Sequence, residues 1–454
     1  MLDIMNHYME FKRKVYSDLL EWKDTDHGTT AALIEGARRV GKTTVAEQFG
    51  KKEYRSYILI DFSITDKAVS DLFENFSGDL DDFFMRLQFH TGKELHERQS
   101  LVIFDEIQLY PKARQMIKHL VADGRYDYIE TGSLISVKKN VEDILIPSEE
   151  VSIKMYPMDF EEFLWSMGDT TTMDLVRDRF ASRKPLGRYA HEAVMRQYRL
   201  YMILGGMPQV IDRYLNEKSL KNIERMKRSI IDLYRNDMMK LPRTVSSRAL
   251  SVFDSIPSIL SSKKKILMPS KVKKNTRMRD YSAATTWLSE AMLVNVCRCQ
   301  TDPSITIGMD IDDSRIKPYL LDTGLLISLA FGNDSKSMES VYDNLLRDKL
   351  SINEGMFFEN AVAQELARSG RDLVFSEFRI KGSTSLYEVD FILPGLKKIC
   401  PIDVKSSNSG SHRSMDVFRE RFKNRVDTPI IIHSKDLRID GDLLYIPIYM
   451  TMLL

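Results

Sequence analysis

The first 170 residues are punctuated by short apolar runs: "AALIEG", "YILIDFS", "LVIFDE", "YDYIETGS" and "VSIKMYP". Helix-compatible stretches separate them, with apolar positions three and four apart. This alternation predicts a parallel sheet wrapped by helices over residues 1–170. From 171 to 245 the helical period takes over in "MDLVRDRFASR", "HEAVMRQYRLYMIL" and "SLKNIERMKRSIIDLYRNDMMK", with "GGMPQV" as glycine-proline punctuation between them. Residues 246–314 continue helical and close on the alternating "LVNVCRCQ", a hairpin strand. From 315 to 454 the helix "MFFENAVAQELARSG" precedes a strand series, "LVFSEF", "YEVDFIL", "KKICPIDVKS" and "TPIIIHS". The pattern thus predicts an α/β protein of four segments, 1–170, 171–245, 246–314 and 315–454, without internal repeats or low-complexity linkers.

The first of those runs leads into "IEGARRVGKTT". Gly36, Gly41, Lys42 and Thr43 satisfy G-x-x-x-x-G-K-[ST], between a strand-like segment and a helix-compatible one, as a phosphate-binding loop requires. Glycines let backbone N–H groups turn toward phosphates, and the following helix N-terminus adds partial positive charge. Lys42 is expected to reach the terminal phosphates of ATP and the Thr43 hydroxyl to hold Mg²⁺. Arg39 and Thr44 join the expected nucleotide contacts. Arg38 and Arg39 have a second reading as solvent-facing, because a charge-stabilising arginine is usually supplied from elsewhere.

Hydrolysis also needs a metal-orienting carboxylate and a group that positions water. "LVIFDEIQ" supplies both at the C-terminal end of a buried strand, where open α/β sheets place ligands. Asp105 is expected in the Mg²⁺ shell, and Glu106 is expected to polarise the attacking water. The next strand ends in Thr131 and Ser133, either of which could sense the γ-phosphate, although Thr-Gly-Ser also makes an ordinary turn.

Composition changes this picture little. A length of 454 residues suggests two to three domains at ~150 residues each, and 43% apolar residues suffice for real cores. A net charge of +1 gives no global field for nucleic acid, so any basic surface must be local. Three cysteines, Cys297, Cys299 and Cys400, cannot make a secreted disulfide framework or a zinc site and are expected to be reduced thiols. No window reaches 18 apolar residues and "MLDIMNHYMEFKRK" lacks a signal-like apolar core, so the expected setting is cytoplasmic, away from membranes.

Two later stretches carry chemistry. "KKKILMPSKVKKNTRMR", Lys263 to Arg279, has eight basic residues and no acidic one, followed by helical and strand-like segments. Helix-turn-helix modules with a wing cluster bases in this way at phosphates, with double-stranded DNA as the partner. A solvated basic face on a linker is the competing reading. In "YEVDFILPGLKKICPIDVKSS", Asp390 lies in one strand and Asp403-x-Lys405 ends the next, so alternation puts Asp403 and Lys405 on one face. Carboxylates beside a lysine can hold Mg²⁺ at a phosphodiester. The order resembles the PD-(D/E)xK nuclease core, with Glu359 matching its helix acid and Glu388 in reserve. Asp390, Asp403 and Lys405 are then the expected catalytic groups, and Glu359, Asp390 and Asp403 the metal ligands.

"GARRVGKTT", "LVIFDEIQ", "ETGS", "YPMDFEEFL", "LGGMPQVI", "KPYLLDTGLL", "FFENAVAQEL" and "IDVKSS" together resemble the prokaryotic AAA/STAND-like ATPases that carry a C-terminal domain of unknown function. The resemblance implies a RecA/AAA-like core, a helical lid, a winged-helix module at 246–314 and a nuclease-like domain at 315–454. It also implies that Gly206 and Pro208 lie over the nucleotide base. Two functions follow as expectations: ATP hydrolysis coupled to a nucleic-acid-binding or nuclease-like domain, or an ATP-dependent switch whose nuclease-like domain is an inactive scaffold. A homo-oligomer is left open.

Overall fold

A computed structural model describes residues 10–64, 67–132, 149–272, 276–304, 306, 308–331, 335–346, 354–379, 385–395, 397–405 and 412–454. The chain divides into two compact units, residues 1–156 with 290–292, and residues 157–289 with 293–454.

The first unit is built on five parallel strands: β1 Ala31–Glu35, β2 Ser56–Asp61, β3 Ser100–Asp105, β4 Asp127–Gly132 and β5 Glu150–Lys154. Their spatial order is β2-β3-β4-β1-β5. Every residue of β1, β3 and β4 is buried, which explains why these segments read as near-continuous apolar runs rather than alternating ones. Helices Lys42–Glu53 and Pro111–Asp123 are among the crossovers that parallel strands require. One core cluster is aromatic: Phe62 stacks on Tyr110 with ring centroids 5.2 Å apart, and Phe73 meets Phe83 edge-on at the same distance. The order places β4 between β1 and β3, so the chain ends of all three converge on one edge.

The second unit starts with helices, including Arg188–Leu204, Leu220–Met239 and Arg243–Ser261. Two sheets follow, made from β6 Val294–Gln300, β7 Ile311–Leu320, β8 Val374–Arg379, β9 Leu386–Val389, β10 Phe391–Pro394, β11 Ile399–Lys405, β12 Ile430–His433, β13 Arg438–Asp440 and β14 Leu443–Pro447. One sheet runs β7-β6-β8-β9 and the other β10-β11-β12-β14-β13. β7 lies on both sides of the 314/315 division read from the sequence, because the β6/β7 hairpin continues through β8 into the C-terminal strands. β9 and β10 are separated by Asp390 alone, which therefore sits where the chain passes from one sheet to the other. The helix Glu354–Arg368, apolar through Phe357, Phe358, Ala361 and Val362, packs against both β7 and β11. Among the described residues no helix is long and apolar enough to cross a membrane.

Candidate functional site

In the first unit, the loop after β1 is shaped by two glycines. A side chain at Gly36 would put its Cβ 2.3 Å from the Met155 carbonyl oxygen, so the loop can pass β5 only there as glycine. Gly41 has φ 100° and caps the helix Lys42–Glu53 without a side chain, leaving that helix start to offer its N–H groups to an anion. Arg13, buried, donates to the Val40 and Tyr156 carbonyls at 2.7 and 2.6 Å and pins the end of the loop. Nothing in "FKRK" distinguished it from its neighbours.

Lys42 is also buried, and its Nζ donates to the loop's own Gly36 and Ala37 carbonyls at 3.0 and 3.2 Å. Burial pulls its pKa down, with Glu106 and Asp105 opposing. Thr43 Oγ1 donates to both Asp105 carboxylate oxygens, at 2.8 and 2.9 Å. Thr131 on β4 donates to Asp105 Oδ1, and the Glu106 N–H reaches Thr131 Oγ1 at 3.3 Å. Burial raises the pKa of Asp105, while its two hydroxyl partners hold it down. The oxygens gathered here are hard donors of the kind Mg²⁺ takes, so Thr43 and Asp105 fit that ion. Glu106 is half-buried, has left-handed backbone (φ 53°) and accepts from Gln108 Nε2. Arg39 and Thr44 are exposed, and Arg39 has φ 72°. Ser133 lies outside the described residues.

Gly206 and Pro208 belong to the second unit. The Gly206 N–H donates to Asp322 Oδ2 at 2.6 Å, its carbonyl accepts from the Met158 N–H at 2.7 Å, and Pro208 opens the helix Pro208–Glu217. Asp322 also caps the helix Thr323–Ala330 through the Leu325 N–H, and fully buried Lys227 donates to the Ile203 and Gly324 carbonyls. "GGMPQV" and "LLDTGLL", far apart in sequence, are thus one hydrogen-bonded knot. Of the basic stretch, Lys263 and Lys264 are exposed, whereas Lys273 and Lys274 lie outside the described residues.

The C-terminal carboxylates come together. Phe391 pairs with Ile402 in the antiparallel β10/β11 register, which sets Asp390 opposite Asp403 one step on. Asp390 Oδ2 accepts from the Val404 N–H at 2.8 Å, and Lys405 Nζ lies 3.0 Å from Asp403 Oδ2. Lys317, entirely buried on β7, stands 2.6 Å from Glu388, 3.4 Å from Glu359 and 3.8 Å from Asp390. Lys265 and Tyr319 both donate to Glu359. Burial pushes Asp403 up to about 6, helped by the Asp390 charge, and Glu388 up to about 7. Glu359 goes the other way: against its burial, Lys265 and Lys317 bring it down to about 2. Among the described residues no group of three or more His, Cys, Asp or Glu side chains is disposed to hold a metal ion. Ammonium groups stand among the acids instead, so in this arrangement the cluster does not fit a metal. Lys265 and Lys317 were missed by sequence reasoning. The spacing of two between Lys317 and Tyr319 was the available signal for a polar pair on one face of β7.

Residues 28–164 match the family model described as AAA domain. Residues 195–337 and 354–450 match two domains of unknown function, DUF8612 and DUF4143. An uncharacterized protein of Haemophilus influenzae is 25% identical over 191 residues, which is 41% of this chain and 45% of that protein. The match therefore spans less than half of that relative. Among solved structures, Cdc6p from Pyrobaculum aerophilum aligns at 12% identity over 76% of this chain and 97% of its own, with a TM-score of 0.30. A STAND protein with a tetratricopeptide repeat sensor from Pyrococcus horikoshii aligns at 14% identity over 80% and 50%, with a TM-score of 0.26. Scores this low leave the assignment to the AAA match and the parallel sheet: the first unit contains an AAA-type P-loop ATPase domain.

Proposed function

We propose that the first unit binds MgATP on its phosphate loop and hydrolyses it, and that the cycle controls a nucleic-acid-binding or nuclease-like C-terminal region. The observation that carries the hydrolytic part is the single network Thr43–Asp105–Thr131–Glu106, which joins the loop, β3 and β4 at one edge. In this reading Lys42 leaves the Gly36 and Ala37 carbonyls for the terminal phosphates, Thr43 and Asp105 hold Mg²⁺, and Glu106 orients water. Arg39, Thr44 and Ser133 are secondary contacts. Lys42→Ala is expected to weaken ATP binding by about 10- to 100-fold, the worth of a charged hydrogen-bonded contact of ~1.5–3 kcal/mol. ATP affinity equal to wild type in that variant would remove Lys42 from the site.

The lysines among the C-terminal acids favour the second reading, a nucleotide-dependent switch whose nuclease-like domain is closed or inactive. Duplex DNA is the partner we propose for the basic stretch at Lys263–Arg279, and a homo-oligomer and a cytoplasmic setting remain part of the same proposal. Plasmid nicking in Mn²⁺ that Asp403→Asn abolishes would return the balance to the nuclease.

A further inference from the structure

The turn that carries Glu106 is bent against the preference of its residue. Glu106 has φ 53° and ψ 44°, the left-handed region that residues other than glycine enter at a cost. Such a conformation persists where the surroundings hold it from several sides. Three contacts do so here. The Glu106 N–H reaches Thr131 Oγ1 at 3.3 Å, its carbonyl accepts from the Leu109 N–H at 2.9 Å, and its carboxylate Oε2 accepts from Gln108 Nε2. The first two fix the backbone, and the third acts on the side chain.

Gln108 is well placed to hold rather than to be held. It is 6% exposed and belongs to the short turn Ile107–Leu109, which packs against β4 and the helix Pro111–Asp123. Glu106 is the more open of the two, only half-buried. The residue type matters as well. An ionised carboxylate can only accept, so its partner must be a donor, and an amide donates without bringing charge. A lysine or arginine at this position would neutralise Glu106 and weaken it as a base, while a second carboxylate would repel it. Glutamine orients the acid and leaves its charge intact.

Held in this way, the carboxylate stays beside the phosphate loop. Burial lowers the Lys42 pKa, and of the charges that oppose the fall Glu106 comes first, ahead of Asp105. The same Glu106 charge works with burial to raise Asp105. Contact with Gln108 therefore does not withdraw the acid from the lysine and aspartate of the loop.

We propose that Gln108 is a positioning residue for ATP hydrolysis: by donating to Oε2 it fixes the rotation of the Glu106 carboxylate and presents Oε1 to the attacking water. The proposal rests on the hydrolytic reading of the phosphate-loop site. In the step it serves, the water oxygen bonds to the γ-phosphorus, the β,γ-bridging oxygen leaves with the electron pair of its broken bond as ADP, and the water proton passes to Glu106 Oε1. Gln108 acts through Glu106 and not on the phosphate.

The test is single-turnover hydrolysis at saturating MgATP, with ATP affinity measured on the same samples of the full chain. Gln108→Met should lower the rate by about 10- to 100-fold, the scale of misplacing a reacting group by about 1 Å, and leave ATP affinity within about twofold of wild type. Gln108→Glu has the native shape but no donor when ionised, so at about pH 8 it should lose rate similarly. Gln108→Met added to Glu106→Gln should be no slower than Glu106→Gln alone, because the two residues act as one unit. A wild-type rate in either folded Gln108 variant would overturn the proposal, as would a further drop in the double variant or an ATP affinity that falls as far as the rate. Should the Gln108 variants fail to fold, a structure of wild type with Mg²⁺, ADP and aluminium fluoride decides: Gln108 Nε2 should remain on Glu106 Oε2 with a water at Oε1, and a separation beyond about 3.5 Å refutes it. Wild-type turnover by Glu106→Gln removes the hydrolytic reading and the proposal with it, whereas a slow Glu106→Gln beside a fast Gln108→Met removes the proposal alone.

Discussion

Two buried charged clusters, one in each unit, combine lysine with carboxylates and do so in opposite ways. At the phosphate loop, Lys42 donates to neutral carbonyls of its own loop, while Asp105 is satisfied by the hydroxyls of Thr43 and Thr131. At the C-terminal cluster, Lys317 and Lys265 lie directly on Glu359, with Lys317 also against Glu388. A lysine resting on carbonyls can exchange them for an anion without stranding a charge. A lysine resting on carboxylates cannot, because its removal leaves buried negative charges uncompensated. The first arrangement suits a site that meets a ligand repeatedly; the second suits a structure that stays closed until something else moves.

The largest expected effect separates the two lysines by stability. Lys317→Ala should destabilise the second unit by ~3–5 kcal/mol, the cost of breaking a buried pair, whereas Lys42→Ala should change the melting of the nucleotide-free chain by less than ~1 kcal/mol. Calorimetry on both variants checks this. Comparable losses would mean that Lys42 is as structural as Lys317 and would erase the contrast.

Next in size is Asp322→Ala, expected to cost ~2 kcal/mol in chemical denaturation, because it removes a helix cap and the partner of the Gly206 N–H together. A wild-type denaturation midpoint would show that the knot joining "GGMPQV" to "LLDTGLL" does not support the second unit.

How far the sequence disclosed these regions follows from chain distance. The phosphate loop was legible because Gly36, Gly41, Lys42 and Thr43 occur within eight consecutive residues, and Asp105 with Glu106 ends an unbroken apolar run. The parallel sheet was legible for the same reason, since strands buried on both faces need little polar alternation. The Asp390/Asp403 pairing could be read from one hairpin. Lys265 on Glu359 could not: 94 residues separate them, and a basic stretch gives no sign of which lysine turns inward. Arg13 on the Val40 carbonyl, 27 residues away, was hidden likewise. The β6/β7 hairpin read as the end of a module because local pattern carries no information about β8, its partner more than seventy residues later.

The smallest expected effect concerns pH. Burial, reinforced by Arg438, brings His433 down to about 4 from the ordinary histidine value near 6.5. Between those values the unfolded chain binds the extra proton and the folded one does not. His433 therefore contributes stability above about 6.5 that declines as pH falls toward 4. Denaturation of His433→Phe should show a shallower loss than wild type across that window, and parallel curves would show that His433 is not the group responsible.

The most direct test of the ATPase at the centre of this account is single-turnover hydrolysis of MgATP by wild type, Glu106→Gln and Asp403→Asn, with ATP affinity measured on the same samples. Glu106→Gln should retain ATP binding and lose turnover, while Asp403→Asn should hydrolyse at the wild-type rate. Equal turnover by wild type and Glu106→Gln, or loss of turnover in Asp403→Asn alone, would contradict the assignment of hydrolysis to the phosphate-loop cluster.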